Sequence, residues 1–502
     1  MSIYLQHLQV NRRLRDVIDE SHEVQYLIDL YAAGLEVGYQ DPSLTLADRR
    51  KQLDRYRSHW DSFQWVEHKT VPIPFHRRRI FEGGVICFVL HSAAFEDPTT
   101  DYRFIQLPSV LRGIPLKEWT VHGLPNDLQT LSLLPEQDLL VVCSLVDRGR
   151  YGCKLEPAMI QADTVAARSF AIQLLRMSDG QPHPNASFPV LNGPKFWLQS
   201  AFSHMRVRLT CSRIAVTAPM LTVPCPGSDR VPRLIVWDWK TGVMHVVSTQ
   251  VHWRWNDRES TTLQDVSRRS QTFQFVDEYR IFGASTLMSH RPRWSVTLLD
   301  TSAPVDDPHK PREIEFALDR VGSFDQILLT EGTYAQGARL GSPFRTDRKR
   351  HVLSIKLICA PEPSQSFVID YGSICAIASE NEAASSIPWN LWKHKTTPLD
   401  RDMEFTTALE FVGPRVVETR ENSHQGLPLR SFDFTPGACR FTKQINTSLD
   451  DVSRYAIRRA KLMDALLEGN KTWWVFSEDN VLTFSVCWRV SFEQRALLFT
   501  VL

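Results

Sequence analysis

The sequence lacks most of the features that announce a function. Its 58 lysines and arginines are matched by 57 aspartates and glutamates, so no basic excess draws the chain onto nucleic acid or an anionic membrane. No run approaches the ~20 consecutive apolar residues of a membrane span. The opening MSIYLQHLQVNRRLRD turns polar too soon for a secretory signal. Nine cysteines are scattered and none stands in C-x-x-C spacing, which favours reduced thiols in a cytoplasmic or nuclear protein over disulfides or zinc. No G-x-x-x-x-G-K-[ST], G-x-S-x-G or H-E-x-x-H occurs. The nearest glycine-rich stretch, Gly332 to Gly341, has no phosphate lysine and reads as a loop. His22, His204, His245 and His252 are isolated and read as surface or satisfied core histidines. The expectation is therefore of no catalytic residue, no metal and no cofactor.

What is present begins with helical periodicity over residues 1–66. Leu5, Leu8, Leu14, Val17 and Ile18 form a short apolar stripe among charges. Ser21 suits an N-cap, and Val24, Leu27, Ile28 and Tyr31 follow at the i, i+3, i+4, i+7 spacing of one buried face. Gly34 stands where a left-handed residue would end that helix. Thr45 and Asp48 resemble a capping box for a third helix carrying Leu46, Leu53 and Trp60. Its other face, with Arg49, Arg50, Lys51, Arg55 and Arg57, reads as solvated surface because acids are interspersed.

After Val71-Pro72 the texture changes to short apolar runs bounded by Gly, Pro, Asp and Ser, which read as strands. One kind is aliphatic: Val85–Val89, Leu139–Val142, Arg213–Val216, Tyr279–Phe282, Val352–Ile355, Val416-Val417 and Val481–Phe484. A second kind ends in a polar turn: Ile172–Gly180 and Leu234–Gly242 most clearly, Ser295–Asp300 and Ser366–Gly372 more loosely. The first kind recurs at roughly 50 to 75 residues, longer than the ~40–45 of a tight WD-type blade. The surplus lies in polar segments such as Asn256–Arg269 and Pro304–Arg312, where insertion costs little. Repeated small sheets with variable loops fit a mainly β fold, an irregular β-propeller of six or seven blades over residues 67–502, since radial stacking covers both faces of each sheet. A β-sandwich or two unrelated β domains stay open. Cys487–Leu502 reads either as a closing strand or as a tail.

The run Leu234–Gly242 (LIVWDWKTG) resembles the third strand and turn of a WD-repeat blade, with Asp238 accepting turn N–H groups and Gly242 at a φ > 0 position. Arg13–Ile18, Val24–Leu30 and Gly34, followed by the Arg-rich Leu46–Trp65, resemble the segment that completes the F-box in fungal F-box proteins and precedes a degenerate propeller. That resemblance implies a substrate-recognition subunit of a cullin–RING ubiquitin ligase, with no chemistry of its own. Leu5, Leu8, Leu14, Val17 and Ile18 would then contact the ligase adaptor, and propeller loops an unknown substrate. One departure stands out: the Leu-Pro helix and second helix that usually open an F-box do not precede this point. The stripe could instead dock on the propeller. A scaffold unrelated to ubiquitin and a propeller enzyme with an unassigned channel site remain as alternatives.

Other clusters read blandly. His76–Arg79 and Arg345–His351 (RTDRKRH) are local basic patches that read as solvated loops, with nuclear import or phosphate contact as the sharper alternative. Asn185, Asn446 and Asn470 head glycosylation sequons that a chain without a signal would not use. Trp237, Trp239, Trp253 and Trp255 read as core between blades, or else as an exposed hot spot.

Overall fold

The computed structural model bears out a mainly β chain with a helical start. Among the residues outside its described part are 1–11, 63–66, 91–98, 146–165, 199–205, 218–233, 248–272, 303–311, 319–325, 332–342, 359–364 and 447–471. From residue 399 onward only the backbone of strands is described.

Among the described residues three helices come first, α1 (Arg12–Glu20), α2 (His22–Ala32) and α3 (Leu46–Ser62), with a short strand Leu35–Val37 between the last two. Their ends follow local chemistry. The Ser21 hydroxyl accepts the Val24 N–H at 3.3 Å, and Gly34 follows α2 at φ 71°, a conformation cheap only without a Cβ. Thr45 and Asp48 form a reciprocal box: Asp48 N–H donates to Thr45 Oγ1 at 3.2 Å, and Thr45 N–H donates to Asp48 Oδ2 at 3.1 Å. The Thr45 hydroxyl also donates to Asp48 Oδ2 at 2.6 Å, and this bond, with that from the Thr45 N–H, holds the Asp48 carboxyl below its usual pKa.

The change to strands falls between Ser62 and Glu67. Among the described residues, seven sheets of four or five strands then follow one another along the chain, antiparallel except for one short strand in the fourth. Sheet A runs from His76 to Pro125, B from Leu128 to Asn192, C from Arg206 to Val247 and D from Phe273 to Ala317. Sheet E runs from Gln326 to Pro398 and F from Thr407 to Asn446. Sheet G takes three strands from Thr472 to Val501 and its fourth, Glu67–Ile73, from near the chain's start. Arg495–Val501 is thus a paired strand, which decides between the two readings of the final segment.

All seven aliphatic runs occupy one position, the second strand of a sheet, from Val85–Leu90 in A to Asn480–Ser485 in G. Ile172–Arg176 and Leu234–Asp238 are both third strands, each paired between the second and fourth strands of its sheet. The packing explains why these runs are uninterrupted. In sheet B, Leu139, Val141 and Cys143 pack with residues of sheet C, while Leu140 and Val142 pack with residues of sheet A. In sheet C, Ile214, Val216, Ile235 and Trp237 face B, and Ala215, Leu234 and Val236 face D. A strand covered on both faces needs apolar side chains at every position rather than every second one. The first strands of A and B, B and C, and C and D also touch, as do those of F and G, so the sheets stack in chain order.

Polar groups staple the seams. Glu82 of sheet A accepts the Ser132 hydroxyl (2.9 Å) and the Leu133 N–H (2.7 Å) of sheet B. Trp119 Nε1 donates to the Met177 carbonyl at 2.8 Å. Gln137 of B donates to the Cys211 carbonyl at 3.0 Å. Glu278 of D accepts the Ser212 N–H (2.6 Å), the Ser212 hydroxyl and the Thr210 hydroxyl (2.9 Å). At the D–E seam α4 (Tyr371–Glu380) and α5 (Trp389–Trp392) bury Ile374, Ile377 and Trp392 in the shared core. Ser386–Ile387, between them, adds a parallel strand to sheet D.

Candidate partner-binding surface

The helical start is fastened to sheet E by the segment Phe344–His351. Leu35–Val37 pairs antiparallel with Phe344–Thr346, and the Asp347 N–H donates to the Gly34 carbonyl at 2.9 Å. Glu36 accepts from Arg345 Nε at 2.5 Å, and Tyr56 of α3 meets Phe344 edge-on at 5.4 Å. The Arg350 guanidinium lies over the Tyr31 ring at 3.9 Å and donates to the Tyr31 carbonyl. Arg350 and His351 are both 6% exposed. RTDRKRH is therefore only in part the solvated loop that its composition suggested: Arg345 and Lys349 are exposed, whereas Arg350 is buried against α2. Arginine suits that burial because its planar, weakly hydrated head stacks on an aromatic face.

The fastening decides which side of α2 is covered, and it is not the side the apolar spacing indicated. The buried residues are Tyr26, Leu30 and, just beyond the helix, Ala33. The expected buried face looks outward: Leu27 is 47% and Tyr31 39% exposed, and Val24 and Ile28 are half-buried. Asp29 lies toward α3, part-exposed, where Arg57 Nη1 approaches it at 3.2 Å and Arg50 Nη2 at 3.9 Å. Arg49 likewise donates to the Leu44 carbonyl, so the Arg-rich face of α3 is partly engaged in structure.

Of the five residues expected at a partner surface, Leu5 and Leu8 lie outside the described residues, and so does the Leu14 side chain. Val17 is 59% exposed, whereas Ile18 is buried. Gln25 Nε2 donates to the Ile18 carbonyl at 3.0 Å, and α2 packs against α1. Ile18 is thus a core residue of the helical piece. Sequence reasoning placed Leu27 and Tyr31 in a core; only their exposure makes them surface residues.

Along α3, beside the start of α2, lies a groove of about 720 Å³ lined by His22 and by Arg50, Lys51, Asp54 and Arg55. Arg50 sits 3.2 Å from His22 Nδ1, so part of this lining is spoken for.

Other flagged residues fall to structure. Trp237 and Trp239 are buried in the B–C core, with Asp238 accepting the Lys240 and Thr241 N–H groups and Gly242 at φ 77°. Trp253, Trp255, His204 and His252 lie outside the described residues, as does the loop from Gly332 to Gly341. His245 is buried. Burial raises the Cys143 thiol to about 12 and Cys87 well above its ordinary value, so both are inert core thiols. On the first strand of sheet C, burial and then the like charge of Arg208 lower Arg206 to about 10. Among the described residues no three His, Cys, Asp or Glu side chains gather as a metal site, and no helix is long and apolar enough to cross a membrane.

No family model and no curated protein matches the sequence. Solved structures give distant likenesses. The WD40 domain of SCAP from fission yeast has 8% identity and a TM-score of 0.34, over 93% of this chain and 97% of that one. The polysaccharide lyase Uly1 has 6% identity and a TM-score of 0.35, over 89% and 95%. An acylaminoacyl peptidase from Pyrococcus horikoshii has 11% identity and a TM-score of 0.32, over 82% of this chain and 57% of that one, so this chain spans little more than half of it. At such scores these neighbours decide neither fold nor activity. The chain itself is a succession of small antiparallel sheets with a helical piece fastened to the fifth.

Proposed function

We propose that the seven sheets form a β-propeller that Glu67–Ile73 closes by completing the last sheet, and that the chain is a non-enzymatic protein-interaction module. In this reading it serves as the substrate-recognition subunit of a cullin–RING ubiquitin ligase, with a helical piece that meets the adaptor and propeller loops that meet a substrate. The observation that carries it is the exposure of Val17 on α1 and Leu27 on α2, on a helical piece that the Tyr31–Arg350 contact and the Leu35–Val37 pairing fasten to the body. Apolar side chains held out on a rigid support are suited to burial by a partner. The helix caps and Gly34 support the resemblance to the end of an F-box.

The test is binding of the full chain to purified ligase adaptor, with Leu27→Asp as the comparison. The expected result is binding weakened at least about tenfold by the substitution, as for a desolvated contact residue. Absence of adaptor binding by the unaltered chain overturns the ligase reading and leaves a scaffold.

A further inference from the structure

The fourth strands of the seven sheets differ in how their open sides are guarded. Unpaired N–H and C=O groups along a sheet edge invite another strand, and proteins blunt them with charge, proline, register breaks, brevity or a covering element. In sheet A the fourth strand, Lys117–Pro125, carries Lys117, Glu118 and His122 and pairs with a register shift. In F, Ala438–Asn446 carries Arg440 and Lys443 and also pairs with a shift. In G, Glu67–Ile73 carries Glu67, Lys69 and Pro72. Ser386–Ile387 covers the fourth strand of D, that of E is Thr397–Pro398, and that of B is the short Val190–Asn192 behind Pro189. Met244–Val247 of sheet C has no lysine, arginine, acid or proline, no register shift and, among the described residues, no covering strand.

Its open side follows from the ladder. The Asp238 N–H donates to the Val243 carbonyl, and Val236 stands opposite His245. Pairs exchange bonds at alternate positions, so the main-chain groups of Met244 and Val246 point away from the sheet. The approach to the strand is apolar: Val243, Met244 and Phe188 are all exposed. Phe188 lies so close over Gly242 that a Cβ there would meet its ring at 2.3 Å, and the Ser187 N–H donates to the Lys240 carbonyl at 2.9 Å. No Lys, Arg, Asp or Glu occurs in Gln181–Gly193 or Thr241–Val247. The charges that flank these segments are engaged. Asp238 accepts turn N–H groups, the Lys240 ammonium lies 5.4 Å from the Trp239 ring centre, and Asp179 pairs with Arg176.

An edge without charge is complementary to itself, whereas a charged edge brings its charges against their own copies in a two-fold pairing. It also holds no charge by which a foreign strand would be selected. We infer that the occupant is a second copy of this chain: two Met244–Val247 strands pair antiparallel about a two-fold axis at His245. Met244 of each copy then stands opposite Val246 of the other, with about four main-chain hydrogen bonds between them. So small an interface gives weak association, with a Kd on the order of 10–100 µM. The site is on sheet C, apart from the helical piece, and does not rest on the ligase reading.

Sedimentation of the full chain is measured from about 1 to 200 µM, spanning that Kd. The expected result is a dimer that grows with concentration. Val246→Pro removes an outward N–H and no bond of the sheet, and Met244→Lys supplies the missing guard; each is expected to weaken the dimer at least about tenfold with the thermal transition unchanged. Position 244 of one copy lies diagonal to that of the other, so mixing Met244→Lys with Met244→Glu is expected to restore an association that neither variant shows alone. A dimer that survives either substitution, or variants that do not recover on mixing, overturns the inference. So does a chain that stays monomeric throughout, by showing the edge covered by other residues of the chain or kept for a different protein.

Discussion

The seam between sheets B and C and the outward face of α2 are built from the same kinds of side chain and meet opposite fates. In the seam, Val141, Ile172, Ile214 and Trp237 are at most 2% exposed. On α2, Leu27 and Tyr31 sit at helical spacing and stay 47% and 39% exposed. A strand between two sheets is covered whichever way a side chain points, so apolar content alone predicts burial. A helix on a surface is covered on one side, and the covering element chooses the side. Here it is a segment far along the chain: Arg350 and Tyr31 are 319 positions apart.

The sharpest way to break the comparison is to truncate one side chain in each region. Trp237→Ala is expected to cost about 3–5 kcal/mol, and Leu27→Ala no more than about 0.5 kcal/mol, by urea unfolding. A comparable loss at Leu27 would mean that the face is covered within the chain. A smaller effect probes the fastening. Arg350→Ala removes a desolvated cation–π contact and should weaken the docking of α2 by about 2 kcal/mol. Hydrogen exchange should then quicken in His22–Ala32 while the strands of sheets B and C keep their protection; uniform quickening would refute a local role.

The smallest expected effect concerns the seam staple Glu82. Burial raises its pKa, outweighing the bonds from Leu133 and Ser132 and the attraction of Arg208. Its folded value thus lies above the unfolded one, so the folded chain holds that proton more tightly. Stability from this group is present below the unfolded pKa and declines as pH rises through the folded value. Glu82→Gln keeps an acceptor for the Leu133 N–H and removes the ionisation. The variant's urea midpoint should fall less than the parent's between mildly acid and neutral pH; parallel curves would show that Glu82 carries no such cost.

The strand runs were legible because both flanking sheets are apolar, so Leu139–Val142 and Leu234–Trp237 announce themselves without knowledge of any neighbour. Ser21, Gly34 and the Thr45–Asp48 box were legible for a related reason: caps are satisfied within a few residues of themselves. The candidate surface was not. Ile18 and Leu27 are both apolar helix residues, and no local signal separates the buried one from the exposed one. RTDRKRH misled in part for the converse reason, since Arg350 is buried only because Tyr31 supplies a ring for it to cover.

By itself, the sequence determined the order of elements, the capped ends of the helices, and which strand of each sheet is most deeply apolar. Those are matters of local hydrogen bonding and of side chains whose surroundings are alike on every side. Tertiary structure alone decided that Glu67–Ile73 completes the last sheet, that Arg350 of a basic segment is buried against α2, and that Leu27 is left facing out. Each depends on pairing between residues hundreds of positions apart, and periodicity shows that a helix has an apolar face without showing what will cover it.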